Sequence, residues 1–377
     1  MAVSVVSSPA QYNFLNSSIS YVLNMTGIVS GTVTKTFAYR LDEVGGGSIT
    51  PDLTYSPTEG LDFTVSFEKD IFAVLATATP INANPIHDFG YIRDEPEMIK
   101  EFELVYWEVS FDSSTCESTL GGEATGPSFF AVNGSVSYFN NAGPTSGFQV
   151  LSPRPVQHRM CRDMKDVFYV LTTGSVTLGG TTHDVNGGYV GDLGPITVSG
   201  GKVMSFNLGL PSDPLTDVIE YVSIYVGAYN YTIKLKDCCE KHIAVTFQAQ
   251  HGGYCSLAGK LVGLKPVSKS DEVFRNRIWN ETGKGGVLTA NKETFMEYTL
   301  EFKALIVAEN RDKNFYEQFM ASGHYYLLLP NNYTTDVIPD KVQISAIGSG
   351  FTWNQELRKI TANFKLHVPH SIPNSYY

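Results

Sequence analysis

The sequence predicts a mostly β protein built from tandem antiparallel β-sandwich domains, the C-terminal one carrying a single helix. Three observations predict it. Apolar and polar residues alternate with a period of two through many short segments, the mark of a half-buried strand. Clusters of Gly, Asn, Ser and Pro separate those segments at short intervals. One stretch near the C-terminus shows helical spacing instead.

In chain order, Leu61, Phe63, Val65 and Phe67 alternate with Asp62, Thr64 and Ser66. The same holds for Met204-Phe206-Leu208-Leu210 and for Val222-Ile224-Val226 against Tyr221, Ser223 and Tyr225. It recurs for Ile243-Val245-Phe247-Ala249 and for Ile360-Ala362-Phe364-Leu366-Val368. Their β-branched and aromatic content suits a pleated surface. Gly45-Gly46-Gly47-Ser48, Asn141-Ala142-Gly143-Pro144, Asn186-Gly187-Gly188 and Gly252-Gly253 read as turns between them. The strand around Val105, Trp107, Val109 and Phe111, with Phe102, Leu104 and Tyr106 opposite, is apolar on both faces. Such a strand is either buried between sheets or completed by a partner.

The helix is expected over about Asn310 to Ser322, where Phe315 and Phe319 lie four apart, Tyr316 and Met320 extend the stripe, and Gly323 stands at the C′ position. It follows a long strand, Phe295 to Val307, whose Glu297, Glu301 and Lys303 suggest one solvent face. With the strands after it, the order is β–α–β–β–β. Val262 to Asp271, VGLKPVSKSD, has linker composition, and a softer boundary falls within Gly121 to Ser152. The division expected is therefore 1–145, an N-terminal β domain; 146–265, a central β-sandwich; and 266–377, a C-terminal β domain with the helix.

Composition narrows the function. The 377 residues are 42% hydrophobic and only 17% charged, with a net charge of −11. That excludes bulk disorder, and low Lys/Arg argues against gripping nucleic-acid phosphates. The stretch 1–18 lacks the basic start and apolar core of a secretory signal, and Ile71 to Ala76 and Ala304 to Ala308 fall far short of the roughly 18 residues of a membrane helix. The expectation is synthesis in a reducing cytoplasm, no membrane partner, and five free cysteines.

Candidate chemistry is sparse. Cys238, Cys239, His242, His251 and Cys255 cluster, but without the paired spacing that sets two zinc ligands on one turn; they read as small apolar groups at strand ends and histidines at turn edges. Asp94-Glu95-Pro96-Glu97 reads as the first turn of a short helix, and Asp42-Glu43 as a strand entering a turn, not as facing carboxylates of a glycosidase. Gly348-Ser349-Gly350 and Gly143 to Gly147 lack the spacing of a nucleophile elbow. No catalytic, cofactor-binding or metal residue is assigned, and no enzyme activity or cofactor is expected. Trp107, Trp279 and Trp353 with the 21 tyrosines could stack on sugars or line protein interfaces, and interface is the favoured reading.

Two segments resemble a known family. Tyr231 to Leu261 resembles a segment of virion proteins from tailed bacteriophages of Bacteroidetes-type hosts. In it a strand enters a Cys-containing turn, then an aromatic strand, then a Gly-Gly-aromatic bend; Cys238, Phe247, Gly252, Gly253 and Tyr254 fill those positions. Glu293 to Val368 resembles tail-tube-like and distal-tail modules. The resemblance implies a structural virion component of the tail, tail hub or head–tail connection. Its partners would be copies of itself in a ring and other virion proteins. Strand Phe295 to Val307 would be the one pairing with a neighbour, and the charge of −11 would let DNA pass without sticking. The rival expectation is a receptor- or glycan-binding tail adhesin.

Overall fold

A strand with one apolar side has to bury it against another such side. In the computed structural model those sides meet within three successive units. The structure describes residues 3–15, 17–75, 92–134, 147–151, 158–161, 166–192, 194–207, 218–236, 242–250, 252–270, 277–279, 285–287, 292–303, 310–323, 325–330, 341–354 and 356–367. The fold is mostly β, with two α-helices among the described residues. No described helix is long and apolar enough to cross a membrane.

In the first unit a three-stranded sheet, Val3–Ser7, Ser20–Met25 and Asp62–Ser66, shares its core with a larger sheet. The larger sheet runs in the order Tyr12–Phe14, Phe129–Val132, Ile99–Asp112, Val33–Glu43, Val29–Ser30, with three short strands added at its edges. Tyr21, Leu23, Phe37, Phe63, Phe102 and Phe129 meet between the sheets. Each large apolar side chain so buried stabilises by roughly 1.5–3 kcal/mol. The helix Glu68–Leu75 adds Ile71 and Leu75 to this core. No helical period is visible here, because the apolar run Ile71-Phe72-Ala73-Val74-Leu75 is too continuous to show one.

The second unit packs the sheet Phe148–Val150, Val167–Thr172, Lys202–Asn207, Ile92–Asp94 against a six-stranded sheet. The latter runs His158–Cys161, Tyr229–Lys236, Tyr221–Val226, Val176–His183, Tyr189–Asp192, with Ile196–Val198 also on Val176–His183. Among the described residues two pairings depart from the expected antiparallel arrangement: Tyr12–Phe14 with Phe129–Val132, and His158–Cys161 with Tyr229–Lys236, are parallel.

The third unit is a closed barrel, not a sandwich: His242–Gln248, Tyr254–Ser270, Lys292–Lys303, Lys359–His367, Lys341–Asn354, Tyr325–Pro330 and back to the first. The helix Asn310–Ala321 lies where its spacing predicts, with Phe315, Tyr316 and Phe319 in the barrel core. Phe319 meets Phe247 and Phe302 edge-on, with ring centroids 5.1 and 5.0 Å apart. Gly323 is not in the left-handed conformation expected of a helix-ending C′ glycine.

Closure of the barrel corrects two expectations. The linker read over Val262 to Asp271 is strand as far as Ser270, so the division at residue 265 falls inside the 17-residue strand Tyr254–Ser270. Its alternation was hidden by a register shift between Leu261 and Gly263 and by Pro266. Strand Lys292–Lys303 is paired along one edge by Tyr254–Ser270 and along the other, over Phe295–Lys303, by Lys359–His367. Its edges are therefore filled within the chain; residues 304–309 lie outside the described residues.

Candidate assembly surfaces

The three units meet in one buried cluster: Phe14, Ile99 and Val132 from the first, Leu151, Tyr169, Leu171 and Val203 from the second, Tyr254 from the barrel. Polar groups fix the same junction. The Glu95 carboxylate accepts from Arg93 Nη2 at 2.7 Å and from Ser205 Oγ at 2.6 Å, and its own N–H donates to Val203 O at 2.8 Å. Asp166, fully buried, accepts the Ser256 N–H of the barrel at 2.8 Å and the Val167 N–H at 2.9 Å. Buried polar groups satisfied in this way hold one arrangement, since each would be costly unpaired. At the barrel's turn, Gly252 has φ +92°, and a Cβ there would fall 2.5 Å from the Asn133 carbonyl carbon of the first unit. Only glycine fits that approach. The surfaces described next are thus held on a jointed but well-packed frame.

The first surface is the outer face of the larger N-terminal sheet. Val29 stands opposite Thr34, Thr34 opposite Phe111, and Phe111 opposite Ser118. Two residues along, Thr36 stands opposite Val109, and Val109 opposite Leu120. Opposed residues share a face, as do residues two apart on a strand, so Val29, Phe111, Val109 and Leu120 form one patch. Val29 is 62%, Phe111 43% and Leu120 73% exposed. Further along the same face, Ala38, Val105 and Trp107 are buried. Arg40 lies over Trp107, its guanidinium carbon 5.3 Å from the ring centroid. Carboxylates hold Arg40 there: Asp42 accepts from its Nε at 3.1 Å, and Glu123 accepts from Nη1 at 2.8 Å and Nη2 at 3.2 Å. Those acids, Glu123 foremost, push the guanidinium pKa further up and keep it charged.

The second surface is a strand edge. Tyr254–Lys260 pairs with His242–Gln248, but from Leu261 to Ser270 the strand pairs, among the described residues, only with Lys292–Leu300. Among the described residues its other edge carries no strand over that length. Val262 and Leu264 are about half exposed on it, beside exposed Lys265 and Pro266. Lys and Pro are devices that restrict such an edge from pairing indiscriminately.

The residues singled out for chemistry end up elsewhere. Cys255 is fully buried in the barrel core and His242 begins a barrel strand; Cys238, Cys239 and His251 lie outside the described residues. No group of three or more metal-ligating side chains occurs among the described residues. The acids are engaged by cations: Asp94 with Lys202 at 2.8 Å, Glu95 with Arg93, Asp42 with Arg40, Glu43 with Lys100 at 3.0 Å. The helix expected from Asp94-Glu95-Pro96-Glu97 is a three-residue 3-10 turn, Pro96–Met98. Ser349 is within a barrel strand, its hydroxyl 3.5 Å from Asn363 O. No protein-family model and no curated protein sequence matches this chain.

Among the described side chains, Trp107 and Trp353 do not make a sugar platform. Trp107 is covered as described, and Trp353 packs against the barrel core beside Tyr316; the Trp279 side chain lies outside the described residues. Sequence reading missed the Arg40 lid, because its parts come from residues 40, 42, 107 and 123, joined only by strand pairing.

Proposed function

We propose that this chain is a structural component of a phage virion, a ring subunit of the tail, tail hub or head–tail region that contacts its own copies and neighbouring virion proteins. The observation that carries the reading is the exposure of Val29, Phe111 and Leu120 beside half-buried Val109 on one sheet face, the kind of surface that marks a protein–protein contact. The open edge at Leu261–Ser270 supplies a second and different surface. Two different surfaces brought together head to tail generate a ring when the rotation closes. Lys265 on that strand is exposed and pairs with Glu297 at 3.5 Å, and its remaining exposure suits an acidic partner such as a second copy of net charge −11. In this reading the barrel with its helix is the tail-tube-like module, the acidic charge keeps passing DNA from sticking, and the chain has no catalytic activity.

Native mass spectrometry and negative-stain microscopy of the purified chain test it. Rings or discrete higher oligomers are expected, and Phe111→Asp with Leu120→Asp should shift them to monomer while leaving the thermal midpoint within a few degrees. A chain that stays monomeric at every concentration, or oligomers indifferent to both substitutions, would overturn it.

A further inference from the structure

The outer face of the six-stranded central sheet has a different character. Strand pairing arranges it in rows. Tyr189, His183, Tyr221 and Lys234 form one row; Asp192, Thr181, Ser223 and Thr232 the next; Gly179, Tyr225 and Asn230 a third. Tyr225 lies flat on the sheet: a Cβ on Gly179 would be 2.5 Å from its Cζ and 2.8 Å from its Cε2. One side of that ring covers Gly179, and the residue as a whole is half-buried. Tyr189 is 64% exposed, and its ring meets His183 edge-on at 6.5 Å. Tyr221 and Tyr225, four residues apart on one strand, stand about 13 Å apart along it. Between the aromatic rows runs a band of hydroxyls: Thr181 Oγ1 is 2.9 Å from His183 Nε2, and Ser223 Oγ is 3.1 Å from Thr232 Oγ1.

We infer that this face binds a neutral oligosaccharide laid across the strands, stacked on Tyr225 and Tyr189 and hydrogen-bonded by the Asp192–Thr181–Ser223–Thr232 row. A sugar ring has an apolar C–H face and an equatorial rim of hydroxyls. The sheet presents the complement, flat aromatic rings spaced by one row of short donors and acceptors. The pKa of Tyr225 is raised, first by its burial and then by the charge of Asp192, which places that carboxylate within electrostatic reach of the ring. Charge selects the ligand class. The Lys234 ammonium is held by Glu220 at 2.9 Å and donates to Tyr221 Oη at 3.3 Å, which leaves Asp192 facing the ligand and disfavours an acidic glycan. The patch on the N-terminal sheet sets its hydroxyls, Thr34, Thr36 and Ser118, among aliphatic side chains and one Phe rather than among tyrosines, so the two surfaces serve different partners.

The test is saturation-transfer NMR on the full chain with four probes: cellohexaose, maltohexaose, laminarihexaose and chitohexaose. At least one is expected to bind. Tyr225→Ala and Tyr189→Ala should each weaken it at least tenfold, Tyr225→Phe should retain it, and Gly179→Ala should weaken it by lifting the ring. Asp192→Asn, which touches no core residue, should weaken it severalfold even if Tyr225→Ala proves unstable. Phe111→Asp with Leu120→Asp should leave it unchanged, which separates this inference from the assembly reading. Absence of transfer from all four probes, or binding that survives the tyrosine and Asp192 substitutions, would overturn it.

Discussion

The outer face of the N-terminal sheet and that of the central sheet arise from the same period-two alternation, yet carry opposite chemistry. On the first, Val29, Val109, Phe111 and Leu120 continue a run of apolar side chains whose inner part, Val105 and Trp107, is roofed by Arg40. On the second, every outward position from Tyr221 to Tyr225 and from Thr181 to His183 is aromatic with a polar tip or carries a hydroxyl or imidazole. The lesson concerns covering. An apolar outer face needs a lid or a partner, and Arg40 covers only half of it. A face of tyrosines and hydroxyls is stable in water and can still meet an amphiphilic ligand.

The largest perturbation expected removes the frame that both faces share. Gly252→Ala would add a Cβ at φ +92° and against the Asn133 carbonyl, at the point where barrel and N-terminal unit meet. Destabilisation of about 3 kcal/mol or more is expected, because positive φ and steric overlap act together. Urea unfolding measures it. A loss under about 1 kcal/mol would mean that this approach is not rigid.

Arg40→Ala breaks the first face alone. It bares Trp107 and leaves Asp42 and Glu123 without their cation. A loss of about 2 kcal/mol is expected from the cation–π contact and the charged hydrogen bonds together, with Trp fluorescence shifted to the red and self-association increased. Arg40→Lys should recover only part, since an ammonium cannot bridge two carboxylates in the guanidinium's planar geometry. An unshifted emission would show that the indole is covered by something else.

Alkali should act on the junction through its buried tyrosines. Tyr169 and Tyr254 in the shared cluster have phenol pKa values raised, chiefly by burial. A folded-state pKa above the unfolded value contributes stability that is whole below the unfolded pKa of about 10 and is lost as pH rises through the folded value. Stability should therefore fall steadily above about pH 10, and Tyr169→Phe should flatten that fall. An unchanged slope in Tyr169→Phe would remove Tyr169 from the account.

How far the sequence foretold these faces depends on which contacts are local. The central face could be read directly: Val222, Ile224 and Val226 alternate with Tyr221, Ser223 and Tyr225 and are buried as alternation requires. The helix Asn310–Ala321 was legible from Phe315 and Phe319 for the same reason. Barrel closure was not, because it depends on pairing between His242–Gln248 and Tyr325–Pro330, some eighty residues apart, and nothing within either strand specifies its partner. The flat pose of Tyr225 needed a glycine on a neighbouring strand, and the lid over Trp107 needed Glu123 from a separate hairpin. A strand that is apolar on both faces states that cover is required, not what supplies it.

The smallest effect expected loosens the first face without touching the second. Phe111 and Leu120 are held by the turn after Asp112, whose carboxylate accepts the Ser114 N–H at 2.8 Å and Oγ–H at 2.7 Å. These bonds, that from the Ser114 side chain foremost, hold the Asp112 pKa below the ordinary carboxylate value. A depressed folded pKa contributes order that is present above the unfolded value of about 3.9 and is lost as pH falls through the folded one. Hydrogen exchange at the Ser114 amide should accelerate relative to its intrinsic rate below about pH 4, while amides of Tyr221–Val226 stay protected. Asp112→Asn should abolish that acid response, and its persistence in the variant would assign the loosening to another carboxylate. Because the carboxylate lies at a surface turn, global stability should barely register the change. The local turn, and with it the positions of Phe111 and Leu120, should.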